Sequence, residues 1–238
     1  MLISTQAIVL QSVKYGDTAA VVKMYTLQCG MLSFIVKGIY NRKRSKAALL
    51  QPLSMLHIEM QLRNNRGLQA LHEIRMDAPF TSIPFSLGKT AQALFIAEVL
   101  IRAIREEERN DELFGFLHDS LCYLDQYPGE LPDFHLKFLL ELSRFLGFYP
   151  VDNYDTDHPY FQYTDGVFLS FAGETCLGRD ASEAVNRLMR AGFGDLSTST
   201  FNRQQRRQLT THLLDFFRWH LPAISGLHTP DVLEEVFG

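Results

Sequence analysis

Near residue 80 the hydrophobic pattern changes period, and no single layer of one kind of secondary structure accommodates both halves. Upstream, Leu56, Ile58, Met60 and Leu62 alternate with His57, Glu59 and Gln61, the period of a half-buried strand. Leu32, Phe34 and Val36 alternate with Ser33, Ile35 and Lys37 in the same way. Two more β-rich runs, 6–14 and 19–27, are joined by the turn signal Tyr15-Gly16-Asp17. A fifth, about 68–76, follows Asn64-Asn65-Arg66-Gly67, which reads as a hairpin loop. Five short strands without a long helix suit a small closed barrel. The five-stranded OB-fold is the common solution at this size, because closure removes exposed sheet edges.

Past Ala78-Pro79 and Ile83-Pro84 the period becomes that of a helix. Residues 86–108 carry an apolar stripe through Leu87, Ala91, Leu94, Val99 and Ile101, which Glu106-Glu107-Glu108 turns polar. Further helices are predicted at 111–126, stopped by Tyr127-Pro128-Gly129, and around Phe134, Phe138, Leu142 and Phe145, closed by Gly147 and Pro150. Two follow at 181–191, with Asp180 and Glu183 spaced as a capping box, and at 203–220. Thr229-Pro230 opens a short last helix. Between the third and fourth helices, Asp165-Gly166 separates Tyr160–Thr164 from Val167–Ser170, a short hairpin signal. The predicted fold class is therefore a two-domain α+β protein. Residues 1–80 form an OB-fold barrel, and residues 81–238 form a mostly helical domain with a hairpin insertion at about 150–179.

Charge divides at the same place. The whole chain is at −4, yet residues 1–80 hold ten Lys/Arg against four acids, Asp17, Glu59, Glu73 and Asp77, leaving +6 there and −10 downstream. A basic barrel joined to an acidic helical part points to a polyanion as the barrel's partner. Lys14, Lys23, Lys37, Arg42, Lys43, Arg44, Lys46, Arg63 and Arg66 are the candidate phosphate contacts, with Arg42–Lys46 a basic loop between the third and fourth strands. Tyr25 and Tyr40 lie among these cations and are candidates to stack on bases. Phe34 alternates with core residues, and Phe216, Phe217 and Trp219 read as a buried helix face.

Motifs for chemistry fail on inspection. Gly88-Lys89-Thr90 ends like a phosphate-binding loop, but Ile83 stands where its first glycine belongs. His72-Glu73 opens a zinc-protease pattern that Met76 breaks. Asp152, Asp155, Asp157 and His158 lack the turn glycine of a calcium loop. Cys29, Cys122 and Cys176 are dispersed, and none has a histidine beside it in sequence. No signal peptide or membrane-spanning run is read, so a cytoplasmic protein with reduced thiols, and not an enzyme, is expected.

Ala7-Ile8-Val9-Leu10, Tyr15-Gly16-Asp17, Val36-Lys37-Gly38, Ser45 and Leu50-Gln51-Pro52, in this order and spacing, resemble the N-terminal half of the RecO family of bacterial recombination mediators. Phe138–Leu142 and Leu146-Gly147-Phe148-Tyr149-Pro150 are similar to its helical half. The resemblance implies an OB-fold on a helical domain, binding to single- and double-stranded DNA, and annealing of complementary strands. It also implies work with RecR to load RecA onto DNA coated by single-stranded-DNA-binding protein. That coating protein's acidic, apolar-ended tail would need cations in the helical part, for which Lys137 with Arg144, or Arg203 with Arg206 and Arg207, are candidates. Many relatives carry a four-cysteine zinc site after the Gly-Phe-x-Pro segment. Here only Cys176 falls in that region, so no zinc or other cofactor is expected, with the Tyr/Phe-rich hairpin packing in its place. An OB-fold adaptor for RNA or a protein partner, with no role in recombination, fits the same residues.

Overall fold

The structure, a computed structural model, describes residues 2–40, 47–63, 67–104, 108–197 and 201–237. Among these residues five strands come first: β1 (Leu2–Tyr15), β2 (Ala19–Thr26), β3 (Gly30–Val36), β4 (Met55–Gln61) and β5 (Gln69–Ala78). They close into a barrel in the order β1-β2-β3-β5-β4. All neighbours run antiparallel except β3 and β5, which close the barrel in parallel through Phe34↔Gln69 and Ile35↔Ala70. The alternating residues are the reason the barrel fills. Ala20, Val22 and Met24 of β2 meet Phe34 and Val36 of β3 and Leu56, Ile58 and Met60 of β4 in one buried interior.

β1 serves two neighbours, pairing its first half with β4 and its second with β2. Its register with β2 slips between Val9 and Gln11, a bulge that bends the strand from one partner to the other. Leu53 locks this corner. Its N–H donates to the Val9 carbonyl at 2.6 Å, and the Val9 N–H donates to Ser54 O at 3.0 Å. Burial and these bonds hold Leu53 in a left-handed conformation at φ 64°, which only glycine adopts without strain.

Among the described residues six α-helices follow: α1 (Leu87–Ala103), α2 (Asp111–Gln126), α3 (Phe134–Phe145), α4 (Arg179–Arg190), α5 (Arg203–His220) and α6 (Thr229–Phe237). A hairpin of β6 (Tyr160–Gln162) and β7 (Val167–Leu169) lies between α3 and α4. The chain forms two compact units: Met1–Ser86 with Ile96–Gln126, and Leu87–Phe95 with Tyr127–Gly238. The barrel thus shares a unit with α2 and the end of α1.

In that first unit Asp125, at the end of α2, pins the segment after β5. Its carboxylate accepts from the amides of Thr81, Ser82 and Ile83 at 2.8–2.9 Å and from the Thr81 hydroxyl at 2.9 Å. Burial alone would raise the Asp125 pKa, but the Ile83, Thr81 and Ser82 amides and the Thr81 hydroxyl together hold it below the usual carboxylate value.

In the second unit α3 stops where Gly147 turns at φ 84° and the Phe148 N–H returns to Ser143 O at 3.0 Å. Phe161 and Phe168 of the hairpin are buried with ring centroids 5.1 Å apart, and Phe161 packs on Phe216 of α5 at 5.6 Å. The capping box expected from Asp180 does not form. Gly178 is the N-cap of α4, so Asp180 sits inside the first turn, where its charge faces the helix amides. A capping box forms instead at α5, where Asn202 accepts from the Gln205 N–H and the Gln205 side chain accepts from the Asn202 N–H. Trp219 is 58% exposed rather than part of the buried face, with Tyr163 edge-on at 6.4 Å.

Candidate nucleic-acid interface

The core-facing residues of β2 and β3 fix what points outward. Val21, Lys23 and Tyr25 of β2 and Met31, Ser33 and Ile35 of β3 alternate with the interior set. Beyond the bulge, Gln11, Val13 and Tyr15 of β1 join them, paired to Lys23, Val21 and Ala19. Cross-strand register then orders this outer face into rows. Ile8, Tyr25 and Met31 form the first, Gln11, Lys23 and Ser33 the second, and Val13, Val21 and Ile35 the third, with Tyr15 and Ala19 beyond it.

The first row is buried, and α2 of the same unit reaches it. Tyr25 is 1% exposed, with Phe114 of α2 stacked on its ring at 6.2 Å. This corrects the expectation of a base-stacking Tyr25: its ring belongs to the seam between barrel and helix. The other rows remain open, with Val13 54% and Tyr15 61% exposed. Lys23 and Lys37 are exposed on this face or just past its edge. Lys14, at the rim, holds its ammonium 5.9 Å from the ring centre of Tyr40, which is half-buried against the barrel core.

Charge on the barrel sorts by strand. No Asp or Glu occurs in β1, β2 or β3. Three of the four acids of residues 1–80 lie on β4 and β5, with Glu59 directly opposite Glu73 and Asp77 accepting from Gln6 at 2.6 Å. The β4–β5 side thus holds three acids against one arginine, Arg75, whereas β1, β2 and β3 hold the lysines Lys14 and Lys23 and no acid. Arg63 is exposed at the start of the β4–β5 connection, its N–H bonded to the Gln69 side chain at 3.1 Å. Arg42, Lys43, Arg44, Lys46 and Arg66 lie outside the described residues.

Tyr15 is a functional candidate that the sequence hides, because Tyr15-Gly16-Asp17 reads as a turn. The bulge supplies the reason: it shifts the in–out alternation of β1 so that Gln11, Val13 and Tyr15 share the open face.

The cations expected to meet a partner's tail divide by burial. Lys137 is 4% exposed. It pairs with Glu141 at 2.7 Å and donates to the Leu188 and Met189 carbonyls at the end of α4. Arg206 is 8% exposed and donates to Asp133 at 2.8 Å and to the Phe201 carbonyl at 2.9 Å. Both correct the expectation of surface cations, since internal acceptors already hold their charges. Arg144 lies over the Tyr149 ring at 3.7 Å and bonds Glu141 at 3.3 Å, while staying exposed. Arg207 is exposed and pairs with Glu234 at 2.8 Å. Arg203 is exposed and makes no ion pair among the described residues.

One cysteine does have a histidine near it. His118 lies a helical turn before Cys122, with Nε2 3.9 Å from Sγ, and Asp119 bonds the other ring nitrogen at 2.9 Å. The order of side chains is that of a nucleophile triad, but burial, with the charges of Asp119 and Asp125, pushes the Cys122 thiol up, away from thiolate. Among the described residues no group of three or more His, Cys, Asp or Glu side chains could hold a metal ion. A four-cysteine zinc site does not fit residues 150–179, where Cys176 is the one cysteine and buried phenylalanines fill the hairpin. Among the described residues no helix is long and apolar enough to cross a membrane.

Two family models match the chain, described as Recombination protein O N terminal over residues 1–80 and Recombination protein O C terminal over residues 84–225. Curated proteins named DNA repair protein RecO are similar over the full length of both chains. Those of Bacteroides fragilis, Phocaeicola vulgatus and Flavobacterium psychrophilum are 38%, 36% and 35% identical.

Proposed function

The chain belongs to the RecO family of DNA repair proteins, and from this we propose that it is a non-enzymatic DNA-binding recombination mediator. It anneals complementary strands and, with RecR, helps RecA load onto DNA coated by single-stranded-DNA-binding protein. No cofactor, zinc included, takes part.

The observation that supports this reading is the open outer face of β1–β2–β3. An aliphatic row, Val13, Val21 and Ile35, runs between Lys23 and Lys37, and no acid lies on any of the three strands. Exposed apolar surface suits bases, and the flanking ammonium groups suit phosphates, whose counterions are released on binding. Single-stranded DNA offers both surfaces at once, so this face favours it over duplex. Backbone contacts carry no sequence information, as suits a protein acting at any gap. Two strands held by one basic surface repel each other less, which accelerates annealing without a fuel molecule. Arg42, Lys43, Arg44 and Lys46 extend the same cationic set, and Arg63 and Arg66 add to it. Arg144, Arg203 and Arg207 remain the exposed candidates for a partner's acidic tail.

The test is annealing of two complementary oligonucleotides coated with single-stranded-DNA-binding protein, without nucleotide or metal, at two salt concentrations. Acceleration that fades at higher salt is expected. A folded protein that gives no acceleration, or that prefers RNA of equal sequence, overturns the mediator reading and leaves an OB-fold adaptor. Replacing Arg42, Lys43, Arg44 and Lys46 together by Ala is expected to shallow the salt dependence of DNA binding by up to about four charges.

A further inference from the structure

Within the barrel, β5 is paired along its length on one side and only at its start on the other. β4 runs beside it from Met55↔Ala78 to Gln61↔Ala70, whereas β3 meets it at Gln69 and Ala70 alone. β3 and β5 are parallel and β3 ends at Val36, so Leu71–Ala78 continue past it. No strand among the described residues pairs with that second edge. His72, Glu73, Arg75, Met76 and Asp77 along it are exposed. An open edge is a row of main-chain donors and acceptors that templates another strand.

Two bulges bound the usable part of the edge. His72 is the extra residue between Met60↔Leu71 and Glu59↔Glu73, and Asp77 is the extra one between Leu56↔Met76 and Met55↔Ala78. Between them the chain alternates regularly. Ile74 packs inward opposite Ile58, so Glu73 and Arg75 point outward. Bulges and charges turn away a foreign strand, so an occupant has to match them.

The same edge of a second copy does match. A two-fold axis pairs the edges antiparallel and keeps outward side chains opposite outward ones, so it passes through a pair of identical residues. Centred on Glu73 it opposes two glutamates, and centred on Arg75 two arginines. Centred on Met76 it offers Arg75 to Asp77, which sits in a bulge and already accepts from Gln6 at 2.6 Å. Centred on Ile74 it sets Glu73 opposite Arg75 twice, with Ile74 against Ile74. Opposite charges directly across a strand pair stabilise it, and like charges do the reverse. Within its own barrel Glu73 stands against Glu59, and neither makes an ion pair among the described residues. The incoming arginine is the counter-charge those two carboxylates lack.

We infer that the free edge of β5 is a self-association surface, on which two copies of this chain pair antiparallel about Ile74. A contact made by one short strand edge falls at the small, transient end of interface sizes, and its two-fold symmetry closes it at a dimer. β5 neighbours neither β1 nor β2 in the barrel, so each copy keeps its proposed DNA face, and one dimer holds two strands. The association stands without the DNA-binding reading, and only that use of it rests there.

Sedimentation velocity of the full chain reads the association from about 1 μM to about 200 μM, the affinity range of a small contact. The unsubstituted chain is expected to shift from monomer toward dimer across that range. Arg75→Glu or Glu73→Arg alone opposes like charges and is expected to weaken dimerisation at least tenfold. The two single variants mixed in equal amounts are expected to regain it, because each supplies the charge the other lacks. A chain carrying both substitutions is expected to dimerise as the unsubstituted one does. A monomer throughout the range overturns the inference, as does a dimer that the single variants leave intact or that mixing does not restore. If the variants do not fold, hydrogen exchange on the unsubstituted chain decides. Raising its concentration over the same range is expected to slow exchange at residues 72–76 at least twofold and to leave β2 unchanged. Exchange at 72–76 that does not depend on concentration overturns the proposal. Dimerisation of a chain that binds no DNA would keep the surface and remove only the use proposed for it.

Discussion

The cations of the barrel and those of the helical unit are chemically alike and physically opposite. Lys23 and Lys37 stand exposed on or beside strands that carry no acid. Lys137 and Arg206 are buried and fully engaged: one bonds carbonyls at the end of α4 and Glu141, the other bonds Asp133 and two main-chain oxygens. A cation without an internal acceptor keeps its charge for a partner. One that has acceptors holds the fold together instead, and removing it strands them. Partner-binding capacity is therefore a matter of unmatched charge, and the number of basic residues alone does not measure it.

Arg206 offers the hardest test of that contrast. Arg206→Met leaves the Asp133 carboxylate buried without its guanidinium and is expected to destabilise the chain by about 3–5 kcal/mol, the range for breaking a buried pair. Urea unfolding measures it. A loss below about 1 kcal/mol would mean that the pair is not the buried anchor its burial suggests.

His135 sharpens the comparison through pH. Burial first, and the nearby Arg206 charge second, push its pKa down to about 3. Above the unfolded value of about 6.5 the ring is neutral in both states and the linkage vanishes. As pH falls below that value, the unfolded chain takes up a proton that the folded chain refuses, so stability drops by about 1.4 kcal/mol per pH unit. Between pH 7 and pH 5 this amounts to about 2 kcal/mol, and His135→Gln should flatten the slope in urea unfolding over that interval. An unchanged slope would assign the loss to other groups.

Tyr15 carries the same logic to an aromatic. With its ring 61% exposed, Tyr15→Ala should leave folding nearly unchanged while weakening single-stranded DNA binding by about 1–3 kcal/mol. Duplex binding and the salt slope should stay as they were, because stacking involves no counterions. Loss of duplex and single-strand affinity alike would assign the ring to shape rather than stacking.

The barrel is legible in the sequence because alternation is local. Each strand announces its inward face through residues two apart, and β4 and β3 follow that pattern. The switch of period near residue 80 marks where helices begin for the same reason. What lies beyond reading depends on encounters between distant segments. Nothing in the sequence around Tyr25 says that Phe114 will cover it, and nothing beside Lys137 says that α4 will end upon it. The bulge at Val9 and Gln11 also hides Tyr15, since one extra residue reverses every assignment after it. Helix starts behave similarly: Asp180 and Glu183 have the capping-box spacing, yet Gly178 takes the cap, while Asn202 and Gln205 form a box without the serine or threonine that signals one.

The smallest expected change in stability comes with a clear change in function. Lys23→Ala with Lys37→Ala removes two exposed ammonium groups from the β1–β2–β3 side, and surface substitutions of this kind alter folding by no more than about 0.5 kcal/mol each. Each phosphate left without its ammonium should shallow the salt slope for single-stranded DNA by about 0.7, so the pair should reduce it by about 1.4. The mirror experiment uses the acidic side: Glu59→Gln with Glu73→Gln relieves repulsion between directly opposed carboxylates and should leave that slope unaltered. If both pairs change the slope equally, the strand takes no preferred path around the barrel. If the lysines alone change it, the acid-free strands carry the DNA, and the unmatched charges of the barrel differ in role from the matched ones of the helical unit.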